Sequence, residues 1–294
     1  MKPVRPRRSV LYMPGSNARA LEKGRTIPAD GLILDLEDAV APDAKTQARG
    51  QIRDAVAAGG YGGREIVVRV NGLGTPWGKD DLAEAGRFGA DAILLPKVET
   101  AEAIREAEKI LSANGAPADL PIWCMIETPL GVLNVKEIAF AGPRVGCLVM
   151  GTSDLAKDLG AAHTRERLPM LASLGYCVLA ARAAGIAILD GVHLDLADDE
   201  GFAFSCRQGR ELGFDGKTLI HPKTVDAANA IFAPSDADLA WARKIIAAHA
   251  EAAKAGLGVV VVDGRLVENL HVEAAKRQVA LADAIVALSA AAKG

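Results

Sequence analysis

Eight short apolar runs recur along the chain: Ser9 to Met13, Gly31 to Asp35, Glu65 to Val70, Asp91 to Leu95, Pro121 to Ile126, Val145 to Met150, Ile186 to Leu189 and Lys217 to Ile220. Runs such as "EIVVRV", "DAILLP" and "GCLVMG" are nearly continuous in Val, Ile and Leu. A half-exposed antiparallel strand would alternate apolar with polar, whereas a parallel strand covered by helices on both faces does not. Each run precedes a stretch that reads as helix, and the connections carry short turn punctuation such as Pro14-Gly15-Ser16, Pro42-Asp43 and Gly142-Pro143. Eight β-then-α units predict an α/β fold, a (β/α)8 TIM barrel, over residues 1–230.

After His221 the pattern changes. Asp236 to Lys254 reads as an Ala-rich amphipathic helix, followed by two β runs around Asp263-Gly264 and then a long helix. Asp-Gly between β runs is a hairpin signal, because a type I′ turn needs positive φ at both central residues. Residues 231–294 are therefore expected to form a C-terminal extension of helix, β-hairpin and helix. An apolar helix that the barrel does not need must bury its stripe. The expected partner is a neighbouring subunit, which makes the protein a homo-oligomer; docking on the same subunit is the alternative.

In a barrel of this kind the loops after the strands form the active-site face, so polar residues there are candidates for chemistry. Those positions hold Asp35, Glu37, Asp38, Arg69, Lys97, Glu127, Asp154, Asp190 and His221. Glu127 in "MIETPLGVLN" and Asp154 in "MGTSDLAKDLG" are carboxylates from consecutive strand ends with no soft ligand nearby. Two carboxylates with water and substrate oxygens suit Mg²⁺; a salt bridge or a helix cap is the alternative use. Arg69 ends an otherwise apolar strand, where a guanidinium needs an anion. That anion is either a substrate carboxylate or thioester oxygen, or an internal partner, Glu37 or Asp38. At least one of Asp35, Glu37 and Asp38 is expected to orient Arg69 or a metal-bound water. Arg19 and Lys23, at i and i+4 on the first helix, could clamp phosphates at the barrel rim or be ordinary exposed charge. Lys97 is read as an ion-pair partner or a catalytic group, and His221 as a packed loop histidine or an acid-base group.

Composition narrows the class. The chain is 50% hydrophobic but only 4% aromatic, and its net charge of −3 gives no support to a nucleic-acid surface. The four cysteines have no C-x-x-C spacing, which is simplest in a reducing cytosol. The basic start "MKPVRPRRS" is not followed by an apolar segment of signal-peptide length, and no run approaches a membrane span. A cytoplasmic protein with no membrane partner is expected.

Taken in order, "SVLYMPGSN", "LDLEDAV", "VRVNG", "AILLPKVE", "MIETPLGVLN", "GTSDLAKDLG" and "GFDGKTLIHP" resemble the citrate lyase β-subunit-like (CitE-like, HpcH/HpaI aldolase) family over nearly the whole chain. That family includes malyl-CoA and citramalyl-CoA lyases and (3S)-malyl-CoA thioesterases. The resemblance implies a homotrimeric or homohexameric (β/α)8 barrel that binds Mg²⁺ and a CoA thioester of a small hydroxy-dicarboxylic acid. It makes Glu127 and Asp154 the metal ligands and Arg69 the substrate contact, and it puts Arg19 and Lys23 at the CoA-binding rim. Lyases of the family carry a C-terminal Asp that reaches a neighbour's active site. Here "RLVENLH" places Glu268 at that point, one methylene longer. A shift on the order of 1 Å in a proton-transfer group can cost about a hundredfold. The departure favours hydrolysis of (3S)-malyl-CoA to malate and CoA. The runner-up is carbon-carbon cleavage of malyl-CoA or citramalyl-CoA, and the remote alternative a non-catalytic CoA-ester binder or a citrate lyase β subunit.

Overall fold

The computed structural model describes residues 4–254 and 256–291. They fall into two compact units, one spanning Arg7–Phe232 and the other made of the residues after Phe232 with those before Arg7.

The first unit is a closed barrel of eight parallel strands in sequence order: β1 (Ser9–Pro14), β2 (Gly31–Asp35), β3 (Glu65–Arg69), β4 (Ala92–Leu95), β5 (Ile122–Ile126), β6 (Val145–Met150), β7 (Ala187–Asp190) and β8 (Gly216–Leu219). Pairing of β8 with β1 through Ser9 and Lys217 closes it. The (β/α)8 expectation holds, and every strand end falls within one residue of the run read from the sequence. Successive side chains alternate faces. One set, including Val10, Ile33, Val67, Leu94, Trp123 and Val149, fills the barrel interior. The other set, including Leu11, Leu34, Val68, Ile93 and Leu148, packs outward against the helices. On the inner face Trp123 is fully buried and carries the Arg7 guanidinium 5.0 Å from its ring centre, and Arg7 is in turn paired with Glu65 at 2.6 Å.

This alternation corrects one member of the expected active-site ring. Leu189 points into the barrel, so Asp190, one residue on, points out toward the helix Asp199–Leu212. There it is fully buried, accepting from Arg167 Nη1 at 2.8 Å on both oxygens and from Lys217 Nζ at 2.8 Å. Asp190 is part of the scaffold.

In the second unit the helix Asp236–Lys254, the hairpin β9 (Val259–Val262) and β10 (Arg265–Glu268), and the helix Asn269–Ala291 follow in the expected order. Asp263 and Gly264 both take positive φ, 49° and 75°, as a type I′ turn requires. The unit has its own small core of Ala242, Ile245, Val262, Val267, Val272 and Ala275.

Candidate active site

At the C-terminal ends of the barrel strands, residues of seven strands or of the segments just after them surround a cavity of about 320 Å³. It is lined by Tyr12, Asp35, Arg69, Met125, Glu127, Asp154 and Thr218 among others. The backbone closes tightly around it at two glycines. A Cβ on Gly15 would lie 2.6 Å from the Asp35 carbonyl oxygen, and one on Gly151 would lie 2.4 Å from the Glu127 Cβ. Only glycine fits at either place, so the "PGS" and "MGTSD" turns bring the loops onto the carboxylates.

Arg69 is buried and held by three acids. Asp35 receives its Nε and Nη2 at 2.6 Å each, Glu37 Oε2 lies 2.8 Å from Nη1, and Asp38 Oδ2 accepts from Nη1 at 3.2 Å. Asp35 also accepts the backbone N–H groups of Glu37 and Ala39, which fixes the loop carrying the other two acids. The internal pairing weighed for Arg69 is present, and Asp35 is its principal partner.

Beside this group sits a second one. The N–H of Lys97 donates to Glu127 Oε1 at 2.8 Å, and Lys97 takes a φ of 49°, a conformation L-residues rarely adopt. Its ammonium lies 3.8 Å from Glu37 Oε1 and 3.9 Å from Asp154 Oδ2. Five carboxylates, of Asp35, Glu37, Asp38, Glu127 and Asp154, thus share two cations, Arg69 and Lys97. The acids respond as a negative excess in a half-buried cup must. Burial, reinforced by Asp38 and Asp35 against Arg69 and Lys97, pushes Glu37 up to about 7. Burial and the neighbouring Glu37 push Glu127 up to about 8. For Lys97 burial works the other way, yet Glu37, Glu127 and Asp154 outweigh it and raise its pKa.

Next to these acids the helix Thr152–Leu159 begins at Gly151 with no side-chain cap, and its first residues line the cavity. Uncapped N–H groups at a helix start favour an anion. The cup therefore offers clustered acids for a cation on one side and free donors for an anion on another.

Three of the other expected residues, Arg19, Lys23 and His221, are not among those that line the cavity. Arg19 and Lys23 are exposed on the helix Ala18–Gly24, outside the residues that line the cavity. His221 is exposed too, and its Nδ1 accepts the Lys223 N–H as the cap of a short 3-10 turn. Glu268 ends β10 in the second unit, half-buried, with its N–H donated to His271 Nδ1. Tyr12, Ser153 and Thr218 line the cavity but were not singled out from the sequence. The signal for Tyr12 was its phase: it falls two residues after the inward-facing Val10.

Residues 8–222 match the family model described as HpcH/HpaI aldolase/citrate lyase. The chain belongs to this family. Its likeness to individual members extends beyond the barrel. A (3S)-malyl-CoA thioesterase of Cereibacter sphaeroides (strain KD131 / KCTC 12085) is 50% identical over 285 residues, 97% of this chain and 98% of that protein. The citrate lyase subunit beta of Escherichia coli (strain K12) is 36% identical over 278 residues, 93% and 92% of the two chains. Among solved structures, the CitE protein of Mycobacterium tuberculosis in complex with magnesium, acetoacetate and coenzyme A is 30% identical. It superposes with a TM-score of 0.75 over 94% of this chain and 97% of that one. Within the HpcH/HpaI family the chain thus resembles both thioesterases and lyase subunits.

Proposed function

We propose that this protein is a Mg²⁺-dependent enzyme that hydrolyses (3S)-malyl-CoA to malate and CoA. The observation that carries the reading is the 50% identity with (3S)-malyl-CoA thioesterases, which spans both units, including the hairpin that bears Glu268. The acid cup supports the cofactor. Among the described residues no three His, Cys, Asp or Glu side chains converge on one point as a closed cage. Mg²⁺ does not need one, since it is usually held by one or two carboxylates and keeps several waters. Glu127 and Asp154 would be its ligands, with the Lys97 ammonium in the gap between Asp154 and Glu37. The uncompensated charge of the cup, expressed in the raised Glu37 and Glu127, fits a divalent cation. When bound, Mg²⁺ supplies Lewis-acid polarisation of substrate oxygen.

The chain's own groups do the rest. The uncapped helix start at Gly151 faces the acyl carboxylate. Arg69, fixed by Asp35, Glu37 and Asp38, presents its remaining Nη2 hydrogen to the acyl group. Arg19 and Lys23, together with His221 on the loop after β8, serve the CoA portion outside the cavity. Water adds to the thioester carbonyl carbon as Glu268 of a neighbouring subunit, in the proposed oligomer, takes its proton. The carbon–sulfur bond then breaks, and the same proton passes to the departing thiolate. The products are malate, CoA thiol and the proton that the new carboxylic acid releases. Glu37, at about 7, is poised to relay protons near neutrality.

Full-length likeness to citrate lyase β subunits favours a second reading, carbon–carbon cleavage of the same class of ester. Incubating the protein with Mg²⁺ and (3S)-malyl-CoA separates the two. Malate and free thiol without glyoxylate are expected, while glyoxylate with acetyl-CoA would make the enzyme a lyase.

A homotrimer or homohexamer goes with this reading. It is supported by exposed Leu133, Phe140 and Leu179 on the barrel unit and by Val261, Leu270 and Val286 on the C-terminal unit. Cytoplasmic residence is proposed as well. No helix among the described residues is long and apolar enough to cross a membrane, and all four cysteines are free and buried.

A further inference from the structure

The donors around the cavity do not divide as a thioester substrate would need. A guanidinium has five N–H groups. In Arg69 the Nε and one Nη2 hydrogen are spent on Asp35, and Nη1 faces Glu37 and Asp38. One Nη2 hydrogen is left, and its positive charge is already answered by three carboxylates. A carbonyl oxygen that becomes negative as water adds to it therefore gains little from Arg69. It also meets repulsion from the acids around it.

Tyr12 is placed to fill that gap. It is an inward-facing residue of β1, it lines the cavity, and its ring lies 4.8 Å from the Arg69 guanidinium carbon. Among the described residues its hydroxyl has no hydrogen-bond partner, and it is not among the buried polar atoms left without one. The hydroxyl is therefore free and open to the cavity. Thr218, another hydroxyl of the cavity wall, is already donated to the Asp190 carbonyl. Ser153 Oγ is unpartnered but sealed from solvent.

We propose that Tyr12 donates its hydroxyl hydrogen to the thioester carbonyl oxygen and carries the charge that develops there. This rests on the reading that the site takes a CoA thioester. A neutral donor suits a place crowded with carboxylates, because it adds no charge of its own to repel or to desolvate. Burial, with Asp35, Glu127 and Glu37 nearby, keeps the phenol protonated well above its usual range, against the pull of Arg69. The donor is then present at every pH at which the enzyme works. The same tyrosine packs against Arg69 by its ring face, so the two side chains hold each other in place.

Tyr12→Phe keeps the ring and removes only the hydroxyl. Loss of one such donor costs about 10²- to 10³-fold in kcat, and the Michaelis constant for malyl-CoA should change less than about threefold, since the contact strengthens only in the transition state. The companion measurement does not need turnover. The carbonyl stretch of carbonyl-¹³C acetyl-CoA bound to the protein should move to lower frequency than in solution, and the shift should vanish in Tyr12→Phe. The proposal is overturned if Tyr12→Phe leaves kcat within threefold of the parent, or if the carbonyl shift survives in it and is lost in Ser153→Ala instead. If the parent releases no malate while the Tyr12-dependent shift is present, the hydrolase reading fails and the donor assignment stands. If the parent hydrolyses malyl-CoA and no shift is seen, the donor assignment fails alone.

Discussion

Two charge clusters, one sealed and one half-buried around the buried Asp35, Arg69 and Glu127, lie at the strand ends of one barrel and obey opposite rules. On the outward side of β7 and β8, Asp190 faces two cations, Arg167 and Lys217, each at 2.8 Å. Burial opposes its charge, yet Lys217 and Arg167 prevail and hold the carboxyl below its ordinary value. On the inward side, five acids share Arg69 and Lys97, and Glu37 and Glu127 are pushed up instead. The first cluster is saturated and closed. The second has a deficit of positive charge that only something from outside can supply. Burial alone does not separate scaffold from site, whereas the sign of the charge imbalance does.

Substitutions that remove one acid from each cluster should therefore have different consequences. Glu127→Gln and Asp154→Asn should lower Mg²⁺-dependent turnover by about 10³-fold or more, since several kcal/mol of charge stabilisation go with the ion. Their circular dichroism and melting curves should match the parent or improve on it. Near-parental rates in either variant would break the metal assignment. Asp190→Asn should do the reverse, lowering unfolding stability by about 3–5 kcal/mol because Lys217 and Arg167 are left buried without a counter-charge. Activity per folded molecule should stay near parental, as read by urea denaturation beside an active-site titration.

Arg69→Lys tests the fork geometry inside the cup. A point charge cannot serve both oxygens of Asp35 while reaching Glu37, so turnover should fall by about 10²-fold. A loss of less than a few fold would mean that only the charge of Arg69 matters.

The smallest effect is on stability against pH, and here the clusters pull in opposite directions. Glu37 and Glu127 bind protons more tightly folded than unfolded. Their contribution is fully present below the unfolded value near 4.3 and is lost as pH rises toward 7 and 8. Asp190 does the opposite, being stabilising above about 3.9 and losing that contribution in acid. The melting temperature of the metal-free protein should decline from about pH 5 to 8, and Glu127→Gln should flatten that decline. An unchanged slope in the variant would remove Glu127 from the account.

Much of this was legible in the sequence. Eight doubly buried strands leave eight apolar runs, and the Asp-Gly turn forms because those two residues tolerate positive φ. The acids of the cup were legible because they follow strands. What escaped depended on phase and on contact. Asp190 was counted in the ring because it is a polar residue following a strand, but it falls one residue after the inward-facing Leu189 and so points outward. Tyr12 was not singled out, because an aromatic residue within an apolar strand carries no mark that separates it from the core. The bidentate hold of Asp35 on Arg69, and the positive φ that aims Lys97 at Glu127, arise from the meeting of distant segments. No local pattern records them.

The central claim, that the inward cluster is incomplete without a divalent cation, is tested most directly by calorimetric titration of the metal-free protein with Mg²⁺ at pH 6.0 and pH 8.5. Binding must displace the protons that Glu127 and Glu37 hold below about 8 and 7. The account predicts protons released on binding and an affinity at least about tenfold weaker at the lower pH. Glu127→Gln should abolish both. Binding of equal strength at the two pH values, or binding that survives in the variant, would contradict it.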